Sequence, residues 1–347
     1  MSYSLTRVSV VRGPAVITIN NGDGTTGDQY AFSQSDIKVE FGHSTFDVAN
    51  SAFGVVDKRS KERMAKVSFT PVGSITANLV KIFWPYLQGT SSSATFQTGD
   101  SALKLATSAD PYVIVTPRSG LAYKFYGAVV DKMPELVLAA DKTQIGSISI
   151  TCIGAQGADW DSANSLYSTT SNTSGADYAN ALSAANFSVS SIKTGPYVGT
   201  YGAAAIGSGA TGVFSTNAGF TVSFNAQLNP VETDEFGLFD FTVGDIVASA
   251  SCAPLDVSAD QIAAIIPMQG SGASRGASLQ SGINLLVDVP SGVTGTGLIY
   301  TTLTNATVFQ TGWAFGIATQ RIPQLTFQTV RQYSSGGLGV PATINIH

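Results

Sequence analysis

Apolar and polar positions along this chain mostly alternate in short runs, the period of half-buried strands. Residues 36–41 (DIKVEF), 65–70 (AKVSFT) and 145–153 (IGSISITCI) carry the pattern most clearly. Residues 13–20 (GPAVITIN) run into Asn20-Asn21-Gly22-Asp23-Gly24, whose Asn and Gly tolerate positive φ and predict a hairpin. Residues 111–115 and 121–126 read as two strands flanking a turn at Pro117-Arg118-Ser119-Gly120. Ala77 to Trp84 (ANLVKIFW) suits a short helix that stops at Pro85, because proline disfavours helical geometry in the residue before it. The pattern lapses after Gly154. From there to Ser174 the chain is dominated by Ser, Thr, Asn, Gly and Ala, and beyond it Tyr178, Leu182 and Ala185 share a helical face.

The landmarks of the first part return in the same order further on. Gly13-Pro14 recurs as Gly195-Pro196, Val39-Glu40-Phe41 as Val222-Ser223-Phe224, and AKVSFTP ending at Pro71 as ASASCAP ending at Pro254. The helix ending at Pro85 recurs as ADQIAAIIP ending at Pro267, the turn at Pro117 as Pro290-Ser291-Gly292, and strand 145–151 as 322–328. A tandem duplication is expected, with a first domain over 1–154, a Ser/Asn/Gly-rich connector over 155–192 and a second domain over 193–347. The connector's length without a hydrophobic period reads as a linker or functional loop.

Composition narrows the function classes. Only 12% of residues are charged and 44% are apolar, which suits a chain that buries much surface against other chains. No uninterrupted apolar run reaches about 18 residues, so neither a transmembrane helix nor a membrane partner is expected. Residues 1–20 lack a basic start followed by an apolar stretch, so no secretory signal is expected. The net charge of −5 disfavours a basic nucleic-acid clamp. Two cysteines (Cys152, Cys252) and two histidines (His43, His347) form no metal-ligand spacing, so the thiols read as buried and reduced and no metal or cofactor is expected. Gly207–Gly212 satisfies GxGxxG, but Val213-Phe214-Ser215-Thr216 is no helix start. Gly272–Gly276 satisfies GxSxG, yet only the terminal His347 lies downstream. An enzyme is the least favoured class.

Charge divides the two parts. Residues 1–154 carry 14 Lys+Arg and 12 Asp+Glu, whereas 155–347 carry 4 and 11. Within one repeat slot the first part holds Lys58, Arg59, Lys61, Arg63 and Lys66, and the second holds Glu232, Asp234, Glu235, Asp240 and Asp245. Opposite signs in equivalent loops point to a repeated inter-subunit or inter-ring contact, where complementarity sets register. Two solvated loops are the ordinary alternative.

Residues 12–20 (RGPAVITIN), 36–41 (DIKVEF), 55–73 (VVDKRSKERMAKVSFTPVG) and IFWP at 82–85 resemble the major tail tube proteins of long-tailed (siphovirus-type) bacteriophages. Met133-Pro134-Glu135-Leu136 and KTQIGSISITCIG (142–154) look like the closing part of the same domain. The resemblance implies a mainly β chain of two tandem tail-tube-type β-sandwich or split-barrel domains, each with a short flanking helix. It implies sheets that join between subunits around a lumen, and stacking through a long loop matching residues 42–66. It implies a virion protein that is made and assembled in the host bacterial cytoplasm. Its partners would be itself and other tail proteins at the tube ends, with viral DNA passing the lumen without specific binding. With two copies per chain, a trimeric ring is favoured over a hexamer. The competing readings are another β-rich virion component, capsid or decoration protein, and a carbohydrate-binding or adhesin module.

Overall fold

The computed structural model describes residues 12–20, 29–33, 35–71, 86–89, 93–96, 111–140, 142–154, 166–172, 178–179, 197–203, 211–233, 237–255, 283–290, 299–315, 321–330, 333–334, 337–338 and 341–346. Most of these lie in strands, so the described part of the chain is mainly β. Both expected flanking helices, at 77–84 and before Pro267, fall outside the described residues.

The first part contributes β1 (Arg12–Asn20), β2 (Gln29–Phe32), β3 (Lys38–Asn50), β4 (Gly54–Phe69), β5 (Leu87–Gly89) and β6 (Ser93–Phe96). It continues with β7 (Tyr112–Tyr126), β8 (Ala128–Val130), β9 (Leu136–Ala139), β10 (Lys142–Ile145), β11 (Ile148–Cys152) and β12 (Tyr167–Asn172). The second part contributes β13 (Val198–Ala203), β14 (Thr211–Thr233), β15 (Gly237–Pro254), β16 (Ile283–Asp288) and β17 (Ile299–Phe315). It ends with β18 (Arg321–Thr329), β19 (Tyr333–Ser334), β20 (Gly337–Leu338) and β21 (Ala342–Ile346).

Two four-stranded sheets, β12-β7-β1-β2 and β3-β4-β11-β8, belong to the first part. The largest sheet closes on itself through β14-β13-β16-β17-β18-β15 and back to β14, and it takes in β9, β10, β5 and β6 from the first part. One hydrophobic core runs through both parts, from Ile17, Phe69 and Phe125 to Phe220, Leu285 and Phe327.

Strand β7 doubles back. A 15-residue strand lying straight would span about 50 Å, yet Ala128 N–H donates to the Pro111 carbonyl at 2.9 Å and Lys124 Nζ sits 3.7 Å over the Tyr112 ring. The reversal falls at the predicted Pro117–Gly120 turn, where Gly120 has φ 115°. Two expectations are corrected. Residues 42–66 are not a loop but the paired arms of a long hairpin, β3 and β4, turning at 51–53. The segment expected to be a bare connector contains β12, which pairs with β7 through Tyr167↔Phe125 to Asn172↔Gly120. Its polar Tyr-Ser-Thr-Thr-Ser-Asn run hides the strand, because the hydrophobic period marks a strand only where one face is buried.

The pairings recur with the spacing of the sequence landmarks. Val39↔Val67 and Phe41↔Ala65 reappear as Val222↔Ala250 and Phe224↔Ala248, each partner 183 residues on. The isolated bridge Ser33↔Pro71 reappears as Thr216↔Pro254 at the same offset. Ile150, between Val67 and Val130, reappears as Phe327 between Ala250 and Val308. Gly127 and Asn305 occupy matching slots with φ 62° and 55°, and their carbonyls accept from Ile153 and Val330 N–H respectively. Glycine and asparagine are the residues that reach this region most easily, so the same kink is met by two different side chains.

Candidate functional site

The two long hairpins, β3–β4 and β14–β15, present very different surfaces. In β3–β4, apolar side chains at the far end stand exposed: Phe46, Val55 and Val56 about half, and Phe53 at the turn 82%. Asn50 Oδ1 accepts from Ala52 and Phe53 N–H at 3.0 and 2.8 Å, and Gly54 takes φ 72°, so a tight turn holds Phe53 outward. In β14–β15, Phe220, Val222, Phe224, Ile246, Ala248 and Ala250 are all buried. The contrast is sharpest at one slot, where Phe41 is 58% exposed and Phe224 2%.

The predicted charged residues that are described sit on strands, not loops. Lys58, Arg59, Arg63 and Lys66 are exposed on β4, and Lys61 lies on the same strand with a side chain that is not among those described. Lys58 pairs with Asp47 across the hairpin at 3.4 Å and Arg59 with Asp57 at 3.3 Å. These exposed pairs contribute about 0–1 kcal/mol each. Lys66 Nζ lies 2.9 Å from Asp131, whose carboxylate also accepts from Ser149 Oγ at 2.9 Å. On the acidic side, Glu232 is exposed near the end of β14, whereas Asp234 and Glu235 fall outside the described residues, as does the side chain of Asp245 on β15. Asp240 is buried, with its carboxylate accepting from Phe241 N–H at 2.7 Å. Burial pushes its carboxyl above the ordinary range, partly countered by that hydrogen bond. Asp240 therefore adds nothing to an exposed acidic face, and Lys58, Arg59 and Lys66 pair with acids of the first part, Asp47, Asp57 and Asp131.

Among the described residues no group of three or more His, Cys, Asp or Glu is placed to hold a metal. Cys152 and Cys252 are free and buried. Burial, and for Cys152 the nearby Asp131, push both thiols up, Cys252 to about 12. Tyr86 is likewise pushed up, by burial first and Asp131 second, and its hydroxyl donates to the Asp131 backbone carbonyl at 2.7 Å. An open cleft of about 590 Å³ beside the end of β9, lined by Ala139, Tyr197, Asn217, Gly219 and Pro290 among others, carries no charged side chain. Thr211–Thr216, at the end of the GxGxxG match, is strand, and the GxSxG match lies outside the described residues. No helix among the described residues is long and apolar enough to cross a membrane.

The feature that sequence reasoning missed is a seam between the two parts. β9 of the first part pairs with β14 of the second through Leu136↔Val222 and Leu138↔Phe220. A Cβ on Gly219 would stand 2.3 Å from the Leu138 carbonyl, so the absent side chain permits the approach. β6 pairs with β21 through Ala94↔Ile344. The buried LVLA run of β9 was the available signal, but a four-residue apolar run does not say which sheet receives it. No protein-family profile matches this chain, and no curated protein is significantly similar to it.

Proposed function

We propose that this chain is a structural virion protein, a tail tube subunit of a long-tailed phage, built from a tandem duplication and working by self-assembly. The observation that carries the reading is the recurrence of strand pairings at constant offsets, together with a seam in which one part of the chain already extends the sheet of the other. A repeat that docks on its own successor supplies the contact that a ring needs. The exposed Phe46, Phe53, Val55 and Val56 at the end of the β3–β4 hairpin supply a second, separate apolar surface, suited to joining ring to ring. Head-to-tail contacts that close make rings, and contacts that do not close make filaments. Two copies per chain favour a trimer with pseudo-sixfold symmetry. A tube wall that is neutral to acidic lets phosphate pass without the counterion release that would hold it.

Negative-stain electron microscopy of the purified protein tests this. The expected result is hollow rods or rings of three subunits, each with two similar lobes in end-on averages. Six separate lobes from six chains would sink the duplication and keep the tube. Closed shells would instead favour a capsid component and end the tube reading.

A further inference from the structure

Within one chain the first part lays two strands on the second, β9 on β14 and β6 on β21. Matched through their pairings, the two receiving edges become Ile37–Val39 at the start of β3 and Ser168–Thr170 in β12, which face Lys124, Tyr123 and Ala122 as Thr343–Asn345 face Thr302, Thr301 and Tyr300. Among the described residues β3 pairs only with β4, and β12 only with β7. Among the described residues both receiving edges are thus open in the first part where they are filled in the second. Burial follows the same division: Val222 is fully buried and Val39 is 36% exposed, while Thr169 and Thr170 are exposed. An unpaired edge carrying apolar side chains recruits another strand.

The strand that would fill the β3 edge is identified by the same arithmetic. Leu136↔Ile145 between β9 and β10 reappears as Ala314↔Ile322 between β17 and β18, and Val137↔Gln144 as Phe315↔Arg321. The end of β17 therefore stands where β9 stands. Among the described residues Ala314 and Phe315 pair on the β18 side only.

We propose that a second copy of this chain fills the open β3 edge with the end of its β17, antiparallel, in the register Ala314↔Val39 and Phe315↔Lys38. The occupant is a second copy because the matching edge in the second part is filled by the matching strand of the first. Edge and strand lie on different parts of the chain, so each addition leaves one of each open until a ring closes. The two edges differ at their first position, where Gly219 admits the Leu138 carbonyl and Asp36 stands in the first part, so the pairing begins at Lys38. This inference rests on the duplicated, self-assembling reading above and names its contact.

Paired cysteines read the register directly. Directly opposed residues on neighbouring strands stand within disulfide reach, and the native cysteines are buried. Under mild oxidation, V39C/A314C is expected to lose its monomer band on a non-reducing gel and give a ladder ending at a closed ring. An equal mixture of V39C and A314C should stop at dimers. V39C/W313C should give neither, because neighbouring residues on a strand point to opposite faces. Hydrogen exchange on the unaltered chain supplies a check that needs no variant. Amides 37–39 and 168–170 should slow at least about tenfold on assembly, while 220–222 are slow throughout. Hollow rods whose V39C/A314C variant stays monomeric on the gel, with 37–39 still exchanging freely, would overturn the register and leave the tube reading standing. A full ladder in an assembly without a lumen would do the reverse. A chain that stays monomeric, without ladder or protection, would overturn both.

Discussion

The β3–β4 and β14–β15 hairpins have the same register and opposite surroundings. Val39↔Val67 and Val222↔Ala250 sit at equivalent positions, yet Phe41 is mostly exposed and Phe224 fully covered. The polar side chains diverge at one slot and agree at the next. Lys66 pairs with Asp131 where the second part has Ser249 bonded to Ser223 at 2.9 Å, whereas Ser68 with Ser149 at 3.5 Å reappears as Ser251 with Thr326 at 3.3 Å. A register repeated under different cover teaches that strand pairing and burial are separate decisions. Pairing follows backbone and side-chain period, whereas burial depends on what arrives from elsewhere.

Substitutions at matched positions break this comparison most sharply. Phe224→Ala should cost about 3–5 kcal/mol of folding stability in urea unfolding, as large-to-small changes in a filled core do. Phe41→Ala should cost the lone chain under about 1 kcal/mol, and equal losses at the two positions would contradict the difference in cover. The shared kink comes next. At Gly127 a Cβ would stand 2.3 Å from the Gly154 carbonyl, so Gly127→Ala should lower stability by about 1–3 kcal/mol. Asn305→Gly should lose less, since glycine keeps the φ and gives up the hydrogen bond from Asn305 Nδ2 to the Val330 carbonyl at 2.8 Å.

Smaller effects sharpen the contrast at the hairpin ends. Phe53→Ser should leave the unfolding midpoint nearly unchanged, within about 0.5 kcal/mol, while shortening any rods seen by electron microscopy. Asp240→Asn should stabilise the chain modestly at pH 7. The carboxyl is held above its ordinary value in the folded state, so its ionisation opposes folding at neutral pH. That penalty disappears as pH falls through the raised value, and the gain from Asn should shrink to nothing near pH 3.8, measured by unfolding across that range.

Much of the strand content was legible in the residues. Residues 13–20, 36–41, 65–70 and 145–153 all carry strands where the alternation predicts them, and 117–120 marks a true reversal. The charged run from Asp57 to Lys66 was misread as a loop, because exposed strand arms lack a buried face and so lack the alternating signal. β12 was hidden for the same reason. The proposed contact residues were only partly legible. Their signs are plain in the sequence, but the burial of Asp240 and the local pairing of Lys58 with Asp47 depend on the fold.

What the residues determined on their own is local: the period of each strand, the slots where Gly127 and Asn305 admit positive φ, and the spacing at which the landmarks return. Tertiary structure alone decided which of two matching edges is filled. β9 reaches β14 because the chain carries the first part to the second through space. Side-chain period acts over a few residues, whereas sheet joining depends on the relative placement of whole sheets, which no short run of residues encodes.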